Sequence, residues 1–257
     1  MHYFENTTAF ITGASSGIGR ASAVEFAKQG AKLILVARRR DRLEELKARL
    51  EKEHQAKVYL MTLDVRNQMD VHKAVTGLPA EWSSIDILIN NAGLARGLDK
   101  IHQADVCYWD EMIDTNVKGL LYVTRAVMPG MVKRNSGHIV NIGSIAGHEV
   151  YPAGNVYNAT KHAVKALNKA MRMDAFGTSI RVTSVDPGFA ETEFSVVRFH
   201  GDQQRADKVY QGMTPLRPED IAEAVVWACS RPAHVNIENI IIMPTDQAAV
   251  TMVNRKQ

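Results

Sequence analysis

Residues 12–20 read TGASSGIGR, with glycines at 13, 17 and 19, between the β-branched run TTAFIT (7–12) and the amphipathic run GRASAVEFAKQG (19–30). A glycine-rich turn that ends a strand and opens a helix lets the main chain approach a diphosphate and presents that anion to the helix N-terminus. The spacing is GxxxGxG, not GxGxxG, and a tight turn serving only close helix packing is the other reading. The features around it bear on that choice.

Outward from this turn, short β-branched runs alternate with longer runs of helical periodicity, the pattern of βαβ units and a parallel sheet covered on both faces. The expected strands are 7–12, KLILVA (32–37), KVYLMTL (57–63), IDILIN (85–90), GHIVNI (137–142), IRVTSV (180–185) and NIIIM (239–243). Helical spacing is carried by GRASAVEFAKQG, DRLEELKARLEKEH (41–54), DEMIDTNVKGLLYVTRAVMPGMVKR (110–134) and PEDIAEAVVWACS (218–230). Gly30 is placed as a helix terminator, Asp41 as an N-cap and Pro218 as a first helical residue. The expected fold is α/β, a Rossmann-type doubly wound seven-stranded parallel sheet with helices on both faces, in a single domain spanning 1–257. Residues 188–217 escape the alternation. A connection of that length after a strand is expected to act as a lid over a ligand at the carboxyl ends of the strands.

The bulk numbers fit one core. The chain has 257 residues, 46% hydrophobic and 23% charged, with a net charge of +3. Its 31 basic and 28 acidic residues are interspersed except at ARRRDR (37–42), so no stripe points to nucleic acid or membrane. Cys107 and Cys229 form no CxxC pair and read as reduced thiols, and the opening MHYFENTTAF lacks a signal pattern. A cytoplasmic protein is expected. The nine histidines show no ligand spacing, and no metal is expected.

In NAD-binding sheets an acid at the end of the second strand accepts the adenosine ribose 2′-hydroxyl. Here Ala37 is followed by Arg38, Arg39 and Arg40. A carboxylate there would repel a 2′-phosphate, whereas guanidinium groups bind one with charge-assisted hydrogen bonds, so the cofactor is read as NADP. Arg40 is better taken as a solvated helix entry. After the third strand, Asp64 and Val65 could meet the adenine, although Asp64 reads equally well as a turn residue.

Three strands run into NNAG (90–93), NIGSIAG (141–147) with Ser144, and VDPG (185–188). Asn116 sits in a helical stretch although Asn is a poor helix former, which suggests a buried polar role. In NVYNATKHAV (155–164), Tyr157 and Lys161 share a helix face at i and i+4. A phenol titrates near pH ~10, and lowering it by roughly three pH values takes about 4 kcal/mol. A neighbouring ammonium and a helix N-terminus both act in that direction. With seven tyrosines in the chain, one such pair arises readily by chance, and it counts only in company.

In company, TGASSGIG, NNAG, Asn116, Ser144, YNATK and the PG at 187–188 resemble, in order and spacing over essentially the whole chain, the short-chain dehydrogenases and reductases. LPAEWSSIDILINNAGLARG, MIDTNVKGLLYVTRAVMPGMV, GNVYNATK and RPAHVNIENIIIMP look like the branch of NADP-dependent 3-hydroxy acid dehydrogenases that oxidise serine and allo-threonine. The resemblance implies a hydride transfer between NADP(H) and a small 3-hydroxy acid, 3-hydroxybutyrate included. It makes Tyr157 the general acid and base, Lys161 the group that lowers its pKa and holds the nicotinamide ribose, and Ser144 a donor to the substrate oxygen. Asn116 would support a water joining Lys161 to solvent. It also implies NADP contacts at Gly13, Ser15, Ile18, Arg38, Arg39, Asp64, Val65, Asn91, Gly93, Tyr157, Lys161, Pro187, Gly188 and Thr192, with Thr192 at the carboxamide. Glu191 and Glu193 receive no cofactor role. A homotetramer is implied, assembled through the helix of Tyr157 and the 110–134 stretch.

A 3-hydroxy acid brings a carboxylate, and Arg198 in the lid is the candidate to bind it beside Ser144 and Tyr157, with a surface arginine as the equal alternative. His148 and Glu149 could meet an amino group. The rival activities are a broad-specificity ketone or 3-oxoacyl reductase on the same fold and a non-catalytic NADP sensor. The intact Asn, Ser, Tyr and Lys set argues against the sensor.

Overall fold

Alternation within the strands builds the two faces of the sheet. In β1 (Thr8–Thr12) and β2 (Lys32–Ala37), Ile11, Leu33 and Leu35 face one layer while Phe10, Ile34 and Val36 face the other, as a period of two requires. The first layer is closed by α1 (Gly17–Lys28) and α2 (Arg40–His54), through Phe26, Leu43, Leu46 and Leu50. Beyond β3 (Val58–Thr62), α3 (Gln68–Thr76) covers the second layer with Val71. Next come β4 (Ile87–Asn90), α4 (Val106–Ile113), α5 (Leu120–Arg134) and β5 (Gly137–Ile142). The chain continues through α6 (Asn155–Asp174), β6 (Ile180–Pro187), α7 (Glu193–Arg198), α8 (Gln203–Tyr210), α9 (Pro218–Cys229) and β7 (Asn239–Ile242). This computed structural model describes residues 3–256. Met1, His2 and Gln257, which the expected limits of 1–257 and the reading of the N-terminus include, lie outside the described residues.

All neighbouring strands are parallel, in the order β3-β2-β1-β4-β5-β6-β7. The expected seven-stranded doubly wound sheet is therefore present. The order reverses between β1 and β4, and the crevice above that reversal is where such sheets hold ligands. Among the described residues no helix is long and apolar enough to cross a membrane.

Several boundaries differ from expectation. β6 runs to Pro187 because β7 pairs with it as far as Pro187↔Ile242. The helix α2 begins at Arg40 with Arg39 in the extended cap position, so Asp41 lies in the first turn and is not the N-cap. Its carboxylate still meets the positive end of the helix there. The 110–134 stretch is not one regular helix: a wide π turn, Asp114–Gly119, separates α4 from α5. α3 was not legible, because a helix with Val71 as its one buried residue carries almost no apolar stripe.

A row of carboxamides crosses the core. Asn90 Nδ2 donates to Thr124 Oγ1 and to Asn141 Oδ1, both at 2.9 Å. Asn141 Nδ2 donates to Asn168 Oδ1 at 2.9 Å, and Asn168 Nδ2 to the Glu238 carbonyl at 3.3 Å.

Candidate active site

The β1–α1 turn is built for close approach. Gly13 has φ +65°, and a Cβ there would stand 2.8 Å from Asn91 Nδ2. A Cβ on Gly19 would stand 2.4 Å from the same nitrogen and 2.5 Å from the Gly13 carbonyl. Asn91 is fixed in turn, its Nδ2 donating to the Thr12 carbonyl at 2.9 Å and its backbone N–H to Thr12 Oγ1 at 3.0 Å. The ends of β1 and β4 are thus locked together beneath the N-terminus of α1.

Above them opens a cleft of about 330 Å³. The structure brings to its walls Gly13, Ser15, Ile18, Arg38, Arg39, Asp64, Val65, Asn91, Gly93, Ser144, Tyr157, Lys161, Pro187, Gly188 and Thr192. Every residue that the sequence placed against a cofactor therefore lines one continuous space. Arg39 bonds Ser16 Oγ at 2.9 Å and Ser15 Oγ at 3.1 Å, and pairs with Glu193 Oε2 at 3.0 Å. Arg40 turns away to Glu44. Asp64 spends its carboxylate on Arg66, with both oxygens bonded by the guanidinium. Burial opposes its charge, yet those bonds outweigh burial and hold the carboxyl below its usual range.

Ser144 follows β5 and caps the short 3₁₀ turn Ile145–Gly147, its Oγ accepting from the Ala146 N–H at 3.1 Å. Tyr157 and Lys161 lie on the first two turns of α6, both buried. The expectation of an acidified phenol does not hold for the protein alone. Burial pushes the Tyr157 hydroxyl well above its ordinary value, with the Ser144 hydroxyl pulling only partly the other way. Lys161 donates to the Ile142 carbonyl at 2.8 Å, and burial brings its own pKa down to about 8. Desolvation is the largest effect on both groups, and it disfavours the charged form of each. Asn116 is not on the cleft wall. Its amide makes a two-way bond with the Leu94 backbone, both distances 2.8 Å, and donates to Thr160 Oγ1 at 3.1 Å. The π turn is what swings it inward, a device often seen at functional sites.

A second cavity, about 530 Å³, meets the first at Ser144, Tyr157 and Gly188. Its wall includes Arg198 at the end of α7, which donates to the Gly97 carbonyl at 2.8 Å and to the Tyr151 hydroxyl at 2.9 Å. The guanidinium carbon lies 5.6 Å from the centroid of the Tyr157 ring. His148 and Glu149 do not line this cavity: His148 bonds Asp186 at 2.5 Å, and Glu149 accepts from the Val250 N–H at 2.8 Å. Sequence reasoning missed Tyr151, Gln247 and the 250–255 tail on this wall, as well as Glu193 in the cleft. The tail has no periodicity to announce it. Glu193 is the first residue of α7, after Thr192 as its N-cap, and nothing in the sequence points to its arginine partners. Among the described residues, no group of His, Cys, Asp and Glu could hold a metal ion.

A doubly wound sheet with a glycine-rich first turn and, at its carboxyl edge, a buried tyrosine and lysine beside a half-buried serine is the architecture of a dehydrogenase. The chain belongs to the short chain dehydrogenase family, whose sequence model matches residues 7–202. It is 50% identical over 239 residues to the NADP-dependent 3-hydroxy acid dehydrogenase YdfG of Escherichia coli K12, covering 93% of this chain and 95% of that one. Identity to the NADP-dependent 3-hydroxy acid dehydrogenase of Schizosaccharomyces pombe is 46% over 258 residues, all of both chains. A solved structure titled as the closed form of serine dehydrogenase complexed with NADP+ superposes with a TM-score of 0.91 at 48% identity, covering 98% of this chain and 100% of that one.

Proposed function

We propose that this protein is an NADP-dependent oxidoreductase acting on small 3-hydroxy acids such as serine, allo-threonine and 3-hydroxybutyrate, or on the corresponding 3-oxo acids. The observation that carries the reading is the junction of the two cavities: Tyr157 and Ser144 border both the cleft above the glycine-rich turn and a chamber that holds a cation. The residues fit the cofactor. Gly13 and Gly19 leave a cradle that a Cβ would fill, and Arg38 and Arg39 stand where a 2′-phosphate would need cations. Gly13, Ser15 and Ile18 would hold the diphosphate, Asp64 and Val65 the adenine end, and Asn91, Gly93, Pro187, Gly188 and Thr192 the nicotinamide half. When bound, NADP supplies the hydride acceptor or donor.

The protein's own groups manage the proton. Tyr157, kept neutral by burial, is poised to give its hydroxyl proton to a carbonyl oxygen in reduction and to take it back in oxidation. Ser144 donates to that oxygen and stabilises the charge developing there. Lys161, within reach of losing its proton near pH 8, supplies the cation when the phenol must ionise. Asn116 holds the Leu94 backbone and α6 together through its bonds to Leu94 and Thr160, and so positions the tyrosine. Arg198 is placed to exchange its Tyr151 and Gly97 bonds for a substrate carboxylate, with residues 188–217 as the lid over it.

Partly exposed apolar residues on α4, α5 and α6, among them Val106, Val132 and Met173, support assembly through these helices as a homotetramer. Light scattering on the purified protein tests that. The test of function is a spectrophotometric screen with NADP and NAD against serine, allo-threonine, 3-hydroxybutyrate and neutral alcohols. Turnover confined to NADP and the acids is the expected result. Equal turnover of neutral ketones with NADPH favours a broad ketone reductase, and turnover of nothing leaves a nucleotide-binding protein.

A further inference from the structure

The helix α7 spans the two ends of the site. At its head, Glu193 reaches into the cleft and its carboxylate is shared between two guanidinium groups, Arg39 Nη1 at 3.0 Å and Arg42 Nη1. Thr192, just before it, packs over the β1–α1 turn, where a Cβ on Gly17 would come within 3.3 Å of the Thr192 side chain. Further along the same helix Phe194 lies against the Tyr157 ring, centroids 5.5 Å apart, and Arg198 closes it in the second cavity. Whatever holds Glu193 therefore holds the segment that borders the substrate chamber.

The carboxylate also sits where the cofactor reading wants a phosphate. Arg39 is the only one of the 38–40 arginines that bonds the serines of the glycine-rich turn among the described residues, and its remaining pairing is with Glu193. A carboxylate and a phosphate both accept paired hydrogen bonds from the planar guanidinium fork, and they cannot share Arg39 without placing two anions side by side.

We propose that Glu193 is a positioning residue: its carboxylate occupies the Arg39–Arg42 pair as an internal stand-in for a nucleotide 2′-phosphate, so that a 2′-phosphorylated nucleotide must displace it and in doing so frees the head of α7. The proposal rests on the NADP reading. A nucleotide with a plain 2′-hydroxyl offers no anion to replace the carboxylate and leaves α7 tied to α2. Burial opposes the charge on Glu193, but the two arginines hold its carboxyl below the usual range, so it is an anion throughout the neutral range and the exchange is one anion for another. Both sides of the pair are part-exposed, Arg39 at 40% and Glu193 at 39%, so the latch is weak enough to be displaced.

The test is calorimetric titration of the full-length protein with adenosine 2′,5′-bisphosphate and with 5′-AMP. The wild type binds the bisphosphate more tightly. Glu193→Gln strengthens bisphosphate binding by about threefold to tenfold and changes 5′-AMP binding less than twofold. Glu193→Ala does the same, which guards against an effect peculiar to one side chain, and adding Arg39→Gln removes the gain. Unchanged or weaker bisphosphate binding in both Glu193 variants overturns the proposal while leaving the cofactor reading intact. A wild type that does not discriminate the two nucleotides overturns the cofactor reading and this proposal together.

Discussion

The Lys161 ammonium bonds the Ile142 carbonyl at 2.8 Å, at the end of the strand that leads to Ser144, while the centroid of the Tyr157 ring lies 6.0 Å from it. The cation is moored to the sheet, and burial makes its charge costly, bringing its pKa to about 8 from an ordinary 10.5. Between those values the unfolded chain binds more protons than the folded one, so this group makes stability rise with pH from about 8 to 10.5. Below that window the full penalty of the buried charge is present. Lys161→Met should therefore raise the stability of the nucleotide-free protein at pH 7 by on the order of 2 kcal/mol, an advantage that disappears by pH 10.5, while turnover falls by about 100-fold or more. Urea denaturation at the two pH values checks the first part. An equal gain at both would show that the ammonium carries no such penalty.

Arg198→Ala should raise KM for 3-hydroxy acids by about 10-fold or more and alter KM for a neutral ketone little, because the lost group is an anion partner and not part of proton transfer. Its present bonds to Gly97 and Tyr151 contribute to packing, so a small loss of stability is expected as well. Equal effects on the two substrate types would rule out the carboxylate role.

His138 is buried in β5, its Nε2 against Thr183 Oγ1 at 2.7 Å, with no hydrogen-bond partner for Nδ1. Burial, helped by Arg181, drives its pKa to about 3 from 6.5. As pH falls through that range the unfolded state takes up the proton and the folded state resists it, so stability is lost. The loss is on the order of 3 kcal/mol by pH 3 to 4. His138→Val should flatten the acid limb of a stability profile between pH 6.5 and 3. An unchanged limb would move the cause to other groups.

Gly19→Ala places a methyl 2.4 Å from Asn91 Nδ2 and 2.5 Å from the Gly13 carbonyl, neither of which can yield without disturbing the β1–β4 junction. A stability loss of about 1–3 kcal/mol is expected, with nucleotide affinity reduced by at least 10-fold. Thermal melts and fluorescence titration with NADPH measure the two. Wild-type affinity in this variant would mean the turn does not contact the nucleotide.

The strands were legible because each is a short apolar run bounded by turn residues, and the β1–α1 turn because glycine spacing there is dictated by sterics. What could not be read depended on tertiary contacts. Asn116 looked like a helical misfit, but only the two-way bond to Leu94 explains the π turn. Tyr157 and Lys161 were placed correctly on one helix face, yet their charge states follow from burial, which spacing alone does not reveal. Glu193 was assigned nothing because its arginine partners lie about 150 positions away.

The carboxamide row from Asn90 to Asn168 has a polarity: every joint pairs an NH₂ end with an oxygen end. Reversing a single amide would oppose like ends along its length, so the row admits one orientation and one registry. Since Asn168 belongs to the helix that carries Tyr157, this grammar of donors and acceptors keys that helix to the strands like teeth in a lock. It forbids the slide of one turn that would carry the phenol out of reach of Ser144.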